Sequence, residues 1–273
     1  MKVEIVTNPA TGVFRELVRT STEQFLASPF IKASIAELIL ENRPSGAQIS
    51  VLTSYKLANF YRNSSDIEAL GAFLDRDVDV RNYARLHAKA YIFDSERALI
   101  TSGNLTLGGL ETNYECGVLI DDCDVVGRLR SAFLELFCDE EKIGHVTRDI
   151  LATTQAILAK VPREKRIRFE KSEEELFGHG AAEQEDDLYD GGTDTIGRSL
   201  SGWRLDTFNV LRKLPGSVFR LEQVYASKDE LGGLHPDNRN IEAKIRQQLQ
   251  ELRDLGVIEF LGGGVYRKLW KDG

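Results

Sequence analysis

The stretch at residues 171–194, KSEEELFGHGAAEQEDDLYDGGTD, has no apolar periodicity and is dense in carboxylates. A segment of that makeup cannot bury enough apolar surface to offset the entropy of ordering it. It cannot run through a core, so the 273 residues of the chain must fold as separate bodies on either side of it. Apolar periodicity resumes at about Leu200 and continues to Trp270. The organisation expected is a folded domain over residues 1–169, an acidic flexible linker over 170–198 and a second domain over 199–273.

Charge follows the same division. The formal net charge of −8 would by itself disfavour a polyanionic partner. Residues 170–195 hold ten acids and one base, however, so the remainder is close to neutral and residues 196–273 carry a small positive excess. Local basic surface governs phosphate binding more than the chain total does. The acidic linker is expected to act as a solvated tether. A sharper role for it would be to occupy a cationic groove when no other polyanion is present.

Residues 1–145 read as an alternation of helices and strands. An amphipathic helix is expected over residues 12–28, a strand at QISVLTSY (48–55), and a helix at SSDIEALGAFL (64–74) capped by a serine. VDVRNYA, HAKAYIFD, RALITSGNL and YECGVLID follow as four strands, and DVVGRLRSAFLELF (124–137) as a closing helix. No run approaches the roughly 18 apolar residues of a membrane span, and the N-terminal apolar run is too short for a secretory leader. Cys116, Cys123 and Cys138 are an odd set without CxxC spacing, which suits reduced thiols in a cytoplasmic protein. They offer no metal-site spacing, and no other ligand set is visible.

LHAKAYIFDSERALITSGNLT places His87 and Lys89 two apart on one expected strand, with Ser102 and Asn104 two apart on the next. Alternate strand residues share a face, so each pair points together. Imidazole, ammonium, hydroxyl and carboxamide supply a nucleophile or acid–base and three donors for phosphate oxygens. Glu115, on the strand that follows, is the carboxylate expected to hold the second imidazole nitrogen. Taken singly, each is ordinary: a structural histidine, a solvated lysine, a turn asparagine, a surface acid. Only their joint spacing gives them weight.

That spacing resembles the HxK(x4)D(x6)GSxN signature of the phospholipase D superfamily, through His87, Lys89, Asp94 and Thr101-Ser102-Gly103-Asn104. Thr101 stands where the signature has glycine. The resemblance implies an α/β fold, a phospholipase-D-like mixed sheet flanked by helices. It also implies covalent catalysis: His87 attacks phosphorus, a second histidine protonates the leaving oxygen, and water hydrolyses the phosphohistidine. Lys89, Asn104 and Ser102 would hold the charge on the non-bridging oxygens. Asp94 would be structural, bracing strand and loop. His145, His179 and His235 lack the lysine two residues on, so one chain supplies half a site and a homodimer would complete it. No metal and no cofactor are implied.

Past Leu200 the pattern reads as three helices and a hairpin. HPDNRNIEAKIRQQLQELRDLG is an amphipathic helix capped by Asp237, Asn238 or Asn240, closed by Gly256, with Ile241, Ile245, Leu249, Leu252 and Leu255 as its buried stripe. A basic hairpin after such a helix suggests a winged-helix domain, with DNA contacts from Arg239, Asn240, Lys244, Arg246, Gln247, Arg267 and Lys268. The segment NRNIEAKIRQQLQELRDLGVIEFLGGGVY resembles the C-terminal winged helix of Dam-replacing, methyl-adenine-directed restriction endonucleases.

The combined expectation is a metal-independent restriction-type endonuclease acting on double-stranded DNA. A companion methyltransferase or ATP-dependent subunit would fit such a system. No GxxxxGK[ST] loop occurs in the sequence, so ATP dependence would come from a partner. The competing expectations are a DNA-binding or regulatory protein with a vestigial nuclease domain, and a lipid phosphodiesterase. The second of these leaves the C-terminal domain without a role.

Overall fold

The computed structural model describes residues 2–161 and 192–270, so most of the acidic linker, and with it any groove-occupying role, lies outside the described residues. The described residues form two compact units: 2–55 with 65–151, and 56–64 with 152–161 and 192–270.

The first unit is a mixed sheet with helices. Its strands are β1 (Lys2–Thr7), β2 (Glu23–Ala27), β3 (Gln48–Thr53), β4 (Asp79–Asn82), β5 (Ala90–Phe93), β6 (Arg97–Thr101), β7 (Cys116–Asp121) and β8 (Gly144–His145). They lie in the order β1-β7-β6-β5-β2-β3-β4-β8. β2, β3 and β4 run parallel, and the remaining pairings are antiparallel. Helices α1 (Thr11–Thr20), α2 (Ala33–Asn42), α4 (Ile67–Leu74) and α5 (Cys123–Phe137) belong to this unit, and α3 (Leu57–Tyr61) falls in the second. One sheet face packs Phe25, Ala27, Ile92 and Ala98 against Val126 and Phe137 of α5.

The helix expected over residues 12–28 ends at Thr20, and β2 begins at Glu23. A central strand covered on both faces is a short apolar run without alternation, which periodicity cannot tell from buried helix. β2 is such a strand, with Phe25, Leu26 and Ala27 all buried. The serine cap expected for α4 is also replaced. Asp66 occupies the cap position without capping through its side chain. Its carboxylate accepts instead from Ala33 N and Lys32 Nζ, each at 3.0 Å, fastening α4 to the start of α2. α5 is capped by Asp122, whose Oδ1 accepts from Val125 N at 3.0 Å.

In the second unit, α6 (Arg148–Ala159), which crosses the unit boundary, is followed by α7 (Thr193–Gly197), α8 (Gly202–Lys213), β9 (Val218–Arg220), α9 (Leu221–Tyr225), α10 (Lys228–Leu234), α11 (Ile241–Asp254), β10 (Ile258–Gly262) and β11 (Val265–Lys268). The three strands form an antiparallel sheet in the order β10-β11-β9, the wing of a winged helix. Asn240 caps α11, its Oδ1 accepting from Ala243 N at 3.4 Å, and Gly256 follows the helix at φ +65°. Ile245, Leu249, Leu252 and Leu255 form the buried stripe. Residues 193–197, expected in the linker, form a helical turn with Ile196 fully buried.

Two glycines fix the loop after β6. A Cβ on Gly103 would lie 2.0 Å from Gly109 O, and one on Gly109 would lie 2.4 Å from the backbone N and O of Asn104. Gly109 belongs to a π-helical turn, Gly108–Thr112, on which the loop rests. Gly109→Ala is expected to destabilise the protein by about 1–3 kcal/mol through overpacking. An unchanged midpoint in chemical denaturation would contradict that contact.

Candidate active site

The site residues stand at strand ends rather than on strands. His87 and Lys89 precede β5, Ser102 and Asn104 follow β6, and Glu115 precedes β7. The sequence expectation of all five within strands is corrected accordingly: the ladder stops where the chain must present side chains instead of pairing its backbone. Pairing still brings the segments together. β5 and β6 are antiparallel with Ala90 opposite Ile100, and Thr101 N donates to Lys89 O at 3.1 Å, which extends the register to the lysine. β6 and β7 pair with Thr101 opposite Gly117, and Ser102 N donates to Cys116 O at 3.1 Å.

Lys89 Nζ lies 3.1 Å from His87 Nε2. An ammonium can only donate, so Nε2 is the acceptor and the neutral imidazole carries its proton on Nδ1. His87 is exposed, Lys89 half-buried and Asn104 buried. Ser102 donates its hydroxyl to the Glu115 carboxylate in a short hydrogen bond, and Cys116 N donates to Ser102 Oγ at 3.1 Å. Glu115 therefore serves Ser102 and not, as expected, the second nitrogen of His87. The reason is strand order: β7 neighbours β6, whereas His87 leads into β5 on the far side of β6. Thr101, the departure from the signature, uses its hydroxyl as a turn brace, with Oγ1 accepting from Gly103 N at 3.1 Å.

Asp94 sits in a turn at φ +52°. Its Oδ1 accepts from Thr22 N and Glu23 N, both at 2.8 Å, and from Thr22 Oγ1 at 3.0 Å. It ties the start of β2 to the turn after β5. Burial opposes its charge, but the Glu23 and Thr22 donors outweigh burial and hold the carboxyl below its usual range. Two residues of the site were not anticipated. Tyr91, fully buried, donates its hydroxyl to Gly103 O at 2.7 Å. Ser28, also fully buried, accepts from Leu105 N at 3.0 Å. Tyr91 follows Lys89 by two, the one sequence signal it offers; Ser28 offers none.

Two of the other histidines have partners of their own. His145 pairs with Glu140 at 3.2 Å, and His235 stacks on Trp203 with Nε2 2.7 Å from Asp206. His179 lies outside the described residues. Of the DNA contacts expected in the second unit, Arg239 and Asn240 are exposed at the start of α11. Lys244 Nζ donates to Gln247 Oε1 at 3.0 Å, and Arg246 Nη1 donates to the Tyr225 hydroxyl at 2.6 Å. Arg267 is exposed beside Glu259. Lys268 is a correction: it is 1% exposed, its amine donates to Leu214 O at 2.7 Å, and it has no surface to offer a phosphate. Strand alternation turns Arg267 out and Lys268 in.

A mixed sheet that brings an HxK pair and a following Ser-x-Asn pair to adjacent strand ends defines a phospholipase-D-like fold. Residues 13–137 match the family described as cardiolipin synthase, PLD-like domain, and residues 199–268 match the Dam-replacing HTH domain. This chain joins a PLD-like domain to a Dam-replacing helix-turn-helix domain. Similar solved structures include NucT from Helicobacter pylori, at 18% identity and TM-score 0.44, covering 53% of this chain and 99% of that one. Another is Nuc from Salmonella typhimurium, a phospholipase D family member, at 14% identity and TM-score 0.44, covering 53% of this chain and 97% of that one. Among the described residues no helix is long and apolar enough to cross a membrane.

The Asp94 hydrogen bonds predict a pH-dependent contribution to stability. A carboxyl lowered on folding stabilises above its unfolded value, near 4, and that stabilisation is lost as pH falls through the lower folded value. Asp94→Ala is expected to lower the melting temperature at pH 7, with the gap from wild type narrowing as pH drops below about 4. A gap constant from pH 7 to pH 3 would show that the ionised carboxylate is not what braces β2.

Proposed function

We propose that this chain is a metal-independent, restriction-type DNA endonuclease that cuts through a phosphohistidine at a site shared by two copies. The observation that carries the proposal is the meeting, at the ends of β5 and β6, of a His87–Lys89 pair with a Ser102–Asn104 loop held rigidly by buried contacts. No arrangement of that kind is needed to support a sheet.

The chemistry follows from the groups present. His87 Nε2 attacks phosphorus as its P–O bond to one sugar breaks, and the leaving oxygen takes a proton from His87 of the second copy. That histidine, now neutral, accepts a proton from water as the water oxygen attacks phosphorus and the P–N bond breaks. The balance is one phosphodiester and one water consumed, one phosphomonoester and one hydroxyl released. Lys89 would release Nε2 when phosphate arrives and turn its ammonium to the non-bridging oxygens, where the Asn104 carboxamide also donates. Ser102, bound to Glu115, is fixed in orientation before substrate enters.

The winged helix gives the nuclease a reason to meet duplex DNA. A recognition helix reads base edges from its first turns, and Arg239 and Asn240 stand exposed there. Lys244, Arg246 and Gln247 are already oriented by neighbours on or beside the helix. A companion methyltransferase or ATP-dependent subunit remains part of the proposal for such a system, as does a cytoplasmic setting.

The test is cleavage of unmethylated and adenine-methylated plasmid in EDTA, alongside the solution mass. The wild type is expected to cut as a dimer. His87→Ala is expected to lose at least about a thousandfold in rate, and Asn104→Ala about a hundredfold. Activity abolished by EDTA, or retained in His87→Ala, would refute the proposal. DNA binding without cutting would favour a regulatory protein with a vestigial site.

A further inference from the structure

We propose that Tyr91 and Ser28 are positioning residues that set the placement of Asn104 toward the scissile phosphate. The inference rests on the phosphodiesterase reading of the site. Asn104 stands in a loop between two peptide groups, and a buried hydroxyl holds each of them. Tyr91 Oη donates to Gly103 O at 2.7 Å, on the peptide before it. Ser28 Oγ accepts from Leu105 N at 3.0 Å, on the peptide after it. Both side chains are fully buried, so neither bond competes with water. With both flanking peptides fixed, the Asn104 backbone has little freedom left.

The side chain is fixed from the same point. Ser28 Oγ has one proton and two acceptors within reach, Phe30 O at 2.8 Å and Asn104 Oδ1 at 3.4 Å. The carboxamide oxygen thus faces inward, toward Ser28, and Nδ2 is directed away from it. An asparagine so turned presents a donor, which is what a non-bridging phosphate oxygen requires.

Placement on the sheet makes the two hydroxyls more than filler. Tyr91 lies on β5 two residues beyond Lys89, and the ladder bond from Thr101 N to Lys89 O ties that segment to the loop strand. Ser28 directly follows β2, which pairs with β5 through Ala27 and Ala90. The strand that delivers His87 and Lys89 and the strand beside it therefore both reach the loop that carries Asn104. Tyr91 cannot swing away, because its ring packs edge-on against Phe14 at 5.3 Å between centroids. Burial pushes the Tyr91 phenol up, so it remains a donor throughout the working range. Phenylalanine would fill the same space; the hydroxyl is needed only for the bond to Gly103.

Displacing a group by about 1 Å at a reacting centre can cost about a hundredfold in rate. Tyr91→Phe and Ser28→Ala are each expected to lower kcat on plasmid DNA in EDTA by about tenfold or more, with KM within about threefold of wild type. In an Asn104→Ala background, followed in single turnover, the same substitutions are expected to have almost no effect on rate, because the group they position is gone. A merely structural role predicts the opposite: lower melting temperatures, unchanged kcat in the folded fraction, and equal losses with or without Asn104. Either wild-type kcat in both folded variants or additivity with Asn104→Ala would overturn the inference. A wild type that does not cut DNA would overturn the nuclease reading itself, and this inference with it.

Discussion

Antiparallel pairing of β5 with β6 is the constraint on which the candidate site depends. Side chains alternate along a strand, so a slip of one residue would send His87 and Lys89 to opposite faces from those they now occupy relative to Ser102. The register is held from several sides. Asp94 fastens the turn between the two strands to the start of β2. The bare contact between Gly103 and the π-helical turn admits no Cβ. Burial of Tyr91, Phe93 and Leu99 on one face and of Ile92 and Ala98 on the other rewards a single alignment. Each of these is local, yet together they convert a sequence motif into a geometry.

How much of this was legible beforehand depends on the kind of interaction. The HxK and Ser-x-Asn spacing is legible because it belongs to one chain segment, and a cap among Asp237, Asn238 and Asn240 with a stop at Gly256 because helix-end chemistry is local, though only the structure singles out Asn240. β2 could not be read, since Gln24 to Ala27 is buried on both faces and carries no alternation. Lys268 was misplaced because a lysine in a hairpin is usually solvated, whereas this one reaches a backbone carbonyl inside the unit. The bond from Ser102 to Glu115 is not legible in the sequence because strand order is a tertiary fact: β6 and β7 are neighbours in space, and His87 leads into β5 beyond β6.

The chain's acidity and its proposed substrate are reconciled by where the charge lies. The carboxylates are concentrated in residues 170–195, whereas the winged helix carries a modest positive excess with Arg239 at the start of α11 and Arg267 on the wing, both exposed. A polyanion meets local potential within a Debye length of about 8–10 Å, not net charge. The proposed function thus assigns phosphate chemistry to the PLD-like domain and duplex recognition to the Dam-replacing helix-turn-helix domain. Neither domain alone would account for the other.

In the proposed chemistry His87 becomes bonded to phosphorus during the reaction. The most direct measurement is to quench the wild-type protein with denaturant during turnover of end-labelled DNA in EDTA and look for label covalently attached to the chain. An acid-labile adduct at His87, absent in His87→Ala, is expected. Cleavage that proceeds with no covalent species in the wild type, or an adduct that persists in His87→Ala, would contradict it.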